Sequence, residues 1–231
     1  MSKTTPRVLF EALIGQLSRI WKSIIVGIVI SLGGTGFTVL LAKLTGYSVW
    51  ELAKDPTEVA GVPPYTGMLS SWGVLLWVMT AAICLFCAVL LKRHHASNVS
   101  FGFLAASGVL SLCLGIDDLY MLHELLLPRI SNLPEMFFYL LYFVAFIVYL
   151  FCFASRILKH DYLLLAVAVF WFAFSRSYFG ISYLERFMTM DDMLKHIGIV
   201  FWLIFFFRAS LQEVSALLER QTQTPSKPLG V

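Results

Sequence analysis

The side chains able to do chemistry gather in two stretches. LCLGIDDLYMLHELLLP holds Asp117, Asp118, His123 and Glu124, and YLERFMTMDDMLKHIG holds Glu185, Asp191, Asp192, Lys195 and His196. Residues seven apart on a helix fall within roughly 20° of one another. A continuous helix therefore puts Asp117 and Glu124 on one face, and Glu185 and Asp192 on another, with His196 one turn beyond Asp192. Imidazoles mixed with carboxylates suit zinc, iron or manganese. The expected metal ligands are Asp118, His123, Asp192 and His196. A divalent ion held there would lower the pKa of a bound water, with Glu124 or Glu185 as the catalytic base.

Two further readings use the same residues. Acids and histidines at span ends form ion-pair networks that fix helix register, and they also line proton and ion routes. Arg176 in FAFSRSYFG lies inside an apolar run at a depth comparable to Asp117, so an Asp117–Arg176 ion pair is expected, with Lys195 as a further cation beside the second motif. The inner halves of the two motif-bearing spans, FGFLAASGVL and VFWLIFFF, offer almost no polar route, which weighs against a proton- or ion-coupled carrier. An accessory or assembly subunit of a larger membrane complex is the third possibility. No H-E-x-x-H or H-x-x-x-H motif occurs, and Asp192 and His196 are an i, i+4 pair that adjacent turns aim at one point.

The elements that must position these groups follow from composition. The chain has 231 residues, 59% of them hydrophobic and only 13% charged, with a mean hydropathy of +0.81. So few charges cannot clothe a water-soluble globule, and a disordered chain or a soluble enzyme is excluded. Runs of about 20 apolar residues match the length a helix needs to cross ~30 Å of hydrocarbon. Six such spans are expected, at 23–44, 67–91, 100–122, 134–155, 162–183 and 193–212. Backbone groups cannot go unpaired in lipid, and the runs lack the alternation of barrel strands, so the fold class is an all-α polytopic membrane helix bundle.

Three regions follow: an N-terminal interfacial amphipathic segment over 1–22, a six-helix transmembrane domain over 23–212 with an outer loop at 45–66, and a cytoplasmic tail over 213–231, disordered at its end. The basic residues flanking the spans fall on one side, which makes the topology N-in and C-in. Ten of the 14 acids then fall at the outer side. That bilayer is expected to be a bacterial inner membrane.

Other features read as packing. Cys84, Cys87, Cys113 and Cys152 all lie in apolar runs and behave as small hydrophobes. Gly33, Gly34 and Gly36 lack the Lys-Ser or Lys-Thr of a phosphate loop and read as helix-packing positions, as do the Gly27/Ser31 and Gly102/Ala106 pairs. The span-four stripe of Tyr139, Tyr142, Phe146, Tyr149 and Phe153 could grip a quinone, a carotenoid or chlorophyll, but such stripes are more often packing surfaces. Nothing resembles a nucleic-acid footprint.

IDDLYMLHE with the later DDMLKHIGIVFW, and the loop DPTEVAGVPPYTGMLSSWGVLLW, resemble a group of small multi-pass bacterial membrane proteins common in cyanobacteria and usually uncharacterised. The likeness covers most of the chain and implies that the two motifs act as a set; it implies no activity, cofactor or substrate. A cyanobacterial source would make the thylakoid membrane an alternative location. Membrane hydrolases of the alkaline ceramidase type carry Ser-x-x-x-His and His-x-x-x-His, and this chain departs from that pattern, with only Asp192 and His196 at the latter spacing. The substrate expected of an intramembrane enzyme is a lipid or another membrane-soluble molecule.

Overall fold

The computed structural model describes residues 6–179 and 188–223, and among them every regular element is a helix. Five helices are long and apolar enough to cross a membrane. This makes the chain an apolar helical protein compatible with a bilayer.

The chain divides at residues 66 and 67 into two units. In the first, α1 (Pro6–Thr45) is one continuous helix. The described part of the segment expected over 1–22 and the span expected from residue 23 belong to this one helix, with no proline between Arg7 and Thr45 to interrupt the backbone ladder. At 1.5 Å per residue its 40 residues extend about 60 Å. Two short helices follow, α2 (Val49–Ala53) and α3 (Pro56–Ala60). Their acids do more than face water. Ser48 and Glu51 form a reciprocal capping box, Asp55 caps α3 through the Thr57 backbone N–H, and Lys54 pairs with Glu58 at 2.6 Å.

The second unit contains α4 (Met68–Arg93), α5 (Asn98–Tyr120), a π-helical turn (Leu122–Leu126), α6 (Leu127–Ser131), α7 (Glu135–Ile157), α8 (Tyr162–Phe179) and α9 (Met188–Gln223). Helix α9 runs through the start of the expected tail as far as Gln223. Lipid supplies no hydrophobic drive between helices, so close approach at small residues must do the joining. A Cβ at Gly108 would lie 2.7 Å from Leu85 Cγ and 3.1 Å from the Ala81 carbonyl, so α4 and α5 meet there nearly backbone to backbone. Gly198 does the same for α9 against Phe172 and the Ala168 carbonyl of α8. Gly73 brings α4 to Ile199 of α9. The core between them is aromatic: Trp202, Phe103, Phe205 and Phe206 are fully buried, and Trp77 meets Trp202 edge-on at 5.5 Å.

The α7 aromatic stripe is a packing surface. Tyr149 hydrogen-bonds Ser107 of α5 at 2.7 Å, Phe146 packs on Trp202, and Phe153 packs on Phe103. By contrast, Gly27, Gly33, Gly34 and Gly36 lie on α1 with no packed helix in their own unit, whereas Gly102 of the Gly102/Ala106 pair contacts Phe153.

Candidate functional site

Helix α5 does not continue through Glu124 as the seven-residue spacing supposes. It stops at Met121, a non-glycine residue in the left-handed region at φ 48°. Such a conformation costs on the order of 1–2 kcal/mol, so something must stabilise the break. The Asp117 carboxylate does this: Oδ1 accepts the His123 backbone N–H at 3.0 Å, drawing that donor away from the helical ladder. The chain recovers through the π-helical turn, a form frequent at functional sites.

This break sets the geometry of the first motif. The His123 ring folds back so that Nδ1 donates to Asp117 Oδ2. Tyr142 of α7 donates its hydroxyl to Asp117 Oδ1 at 2.9 Å. Asp117 and His123 are both buried, and the rings of Tyr139 and Tyr142 stand edge-on to the imidazole at 4.6 and 5.7 Å. The other ring nitrogen, Nε2, lies 3.5 Å from Glu124 Oε1, and Glu124 is exposed.

The second motif arrives on α9. Lys195 Nζ donates to Asp118 Oδ1, an ion pair that ties α9 to α5 across 77 positions of sequence. Gly73 of α4 lies beside that carboxylate, since a Cβ there would stand in ordinary van der Waals contact with Asp118 Oδ2 at 3.6 Å. His196 is half-buried, with its Nδ1 shielded from solvent and without a hydrogen-bond partner among the described residues. Asp192 is exposed, and its neighbour Asp191 accepts the Ser175 hydroxyl of α8.

These groups share one cavity of about 310 Å³. Helix α5 contributes Asp117 and Asp118, the turn after it His123 and Glu124, and α9 Asp192, Lys195 and His196. Leu69, Ser70 and Gly73 of α4 form another wall, with Ile199 alongside them. Two stretches some seventy positions apart therefore line a single polar site. Glu185 lies outside the described residues. Arg176 lies on α8 with its side chain outside the described set, and the expected Asp117–Arg176 pair lies outside it too; the described partners of Asp117 are His123 and Tyr142.

The expected metal donors Asp118 and His123 have other partners in this arrangement. Asp118 is taken up by Lys195 and His123 Nδ1 by Asp117. Among the described residues no three His, Cys, Asp or Glu side chains are grouped to hold an ion. What the arrangement can do is move a proton. A carboxylate on Nδ1 fixes the imidazole tautomer and leaves Nε2 to act toward the cavity.

Sequence reading missed Tyr142 as a partner of Asp117, although it sits on the aromatic stripe already singled out. A second polar cluster also went unseen, in which Glu213 of α9 meets Arg156 at 3.1 Å and His160 at 3.2 Å. The signal was available: Glu213 is an acid on the expected cytoplasmic side, where basic residues predominate.

Against known proteins, residues 24–209 match a family model described as a domain of unknown function, DUF8692, and the chain belongs to that family. No curated protein and no solved structure matches.

Proposed function

We propose that this is a six-span membrane protein with both termini in the cytoplasm, whose outer cavity performs acid–base chemistry on a lipid headgroup or another membrane-soluble molecule. The observation that carries this reading is the double hold of Asp117 on His123, through the ring Nδ1 and the backbone N–H, with Nε2 left beside Glu124 at the cavity. In this reading Asp117 and Tyr142 orient the imidazole, His123 takes a proton from the bound molecule or from water, and Glu124 returns one. Lys195 compensates Asp118, and His196 and Asp192 contribute further polar contacts. Glu185 remains a candidate second carboxylate. The basic loops support the cytoplasmic termini, and α8 supplies the sixth span.

The aromatic core of Trp202, Phe103, Phe205 and Phe206 closes the interior of the second unit. That supports a site served from one side over a continuous conduit. The test is to reconstitute the chain in phosphatidylethanolamine and phosphatidylglycerol vesicles and to follow lipid products by mass spectrometry and internal pH with a trapped dye. A lipid product lost in His123→Ala and insensitive to chelator supports the reading. A pH change without product points to a carrier, and a product that requires added zinc, iron or manganese points to metal chemistry.

A further inference from the structure

His160, in the turn between α7 and α8, is far from the cavity residues in sequence and faces two acceptors. Its Nδ1 stands 2.7 Å from Gln212 Oε1, and its Nε2 stands 3.2 Å from Glu213 Oε1. The amide of Gln212 cannot turn to offer a donor without loss, because its Nε2 donates to Asp161 Oδ2 at 3.0 Å, and Asp161 is itself held by Arg208 Nε at 2.7 Å. Both ring nitrogens therefore need a proton. The ring also stacks on Phe103 at 5.8 Å and 15°, a surface that favours a cation.

We infer that His160 is a doubly protonated latch that fastens the start of α8 to α9 and lets go when the pH on that side of the membrane rises. Loss of either proton turns a nitrogen lone pair toward an oxygen already at hydrogen-bond distance. Helix α9 also carries Lys195 and His196, so a latch on its far half sits on the same element as one wall of the cavity.

The charges facing the ring come from several elements. Helix α9 brings Glu213, which favours the imidazolium, and Arg208, which is occupied by Asp161. Helix α7 brings Arg156, which opposes it but is drawn to Glu213 and the Ser97 hydroxyl. Helix α5 and its N-cap add Ser97, Ser100 and Phe103, none of them charged, and at the end of α4 Lys92 lies over the Phe101 ring at 5.1 Å. Lys159 and Asp161 flank the histidine in its own turn. Burial pulls the imidazole down, but the hydrogen bonds to Glu213 and Gln212 outweigh it and hold His160 above its ordinary 6.5. With the folded value raised, the stabilisation is complete below that ordinary value and is lost as pH rises through the folded one.

Histidine-selective nitrogen labelling of the full chain in micelles reads the protonation state directly. Near neutral pH one imidazole, identified by its disappearance in His160→Phe, should carry two ring protons, and its titration should move down in Glu213→Gln. The melting temperature should fall by about 2–4 °C between roughly pH 6 and pH 9 in the wild type and by less in His160→Phe. Spin labels at Leu163→Cys and Leu211→Cys, in a chain with its native cysteines replaced, should separate over the same range. A singly protonated His160 at neutral pH, a titration unmoved by Glu213→Gln, or a label distance constant with pH overturns the proposal. If His160→Phe does not fold, Glu213→Gln and the spin labels carry the test.

Discussion

Asp117 grips His123 at two points six residues away, accepting the backbone N–H on one carboxylate oxygen and the ring Nδ1 on the other. One side chain thereby ends α5, opens the π-helical turn and orients the imidazole. Local backbone structure and the chemistry of the site rest on the same contact.

Asp117→Asn tests that dual role. The amide keeps an acceptor for the Tyr142 hydroxyl but loses its charge, and charge-assisted hydrogen bonds contribute about 1.5–3 kcal/mol each. Thermal or denaturant unfolding should show a loss of that order. The His123 ring should also lose its fixed orientation, seen as a changed ring-nitrogen chemical shift under histidine-selective labelling, because the carboxylate that holds Nδ1 is gone. An unchanged His123 ring signal would separate the residue from the pair.

The helical class was legible because lipid leaves the backbone few choices, and the long apolar runs of α4, α5 and α7 announce themselves. That the two charged motifs meet was legible too, since isolated acids in a span need partners. The detail of the meeting was not. Spacing arguments assume an unbroken helix, and the break at Met121 depends on a side-chain competition between Asp117 and the ladder that periodicity does not encode. Small residues were legible only in part. The clustered Gly33, Gly34 and Gly36 drew attention, while the isolated Gly108 and Gly198, whose importance lies in what faces them across a helix pair, looked ordinary.

The Asp118–Lys195 pair couples α5 to α9 and invites a double-mutant cycle. Lys195→Met strands a mostly buried carboxylate and should destabilise by about 1–3 kcal/mol, intermediate between exposed and buried pairs. Adding Asp118→Asn should recover part of the loss, giving a coupling energy of about 0.5–3 kcal/mol. Additive effects would mean that the two residues do not interact.

Glycine substitutions discriminate between a glycine at a helix contact and one with no neighbour in its own unit. Gly198→Ala drives a methyl to within 2.6 Å of the Phe172 ring and 3.1 Å of a backbone carbonyl, and overpacking of that kind costs about 1–3 kcal/mol. Gly33→Ala on α1 meets no neighbour within its unit and gains helix propensity of up to about 1 kcal/mol. Melting temperatures of the two variants should move in opposite directions.

The convergence of the two motifs is tested most directly by thiol crosslinking. With the native cysteines replaced, Asp118→Cys and Lys195→Cys should be joined within one molecule by a bifunctional thiol reagent about as long as a lysine side chain. Each single variant should give no such product. Efficient intramolecular crosslinking in membranes is the expected result; its absence, with both thiols shown to be reactive, would place α5 and α9 apart and contradict a shared acid–base cavity.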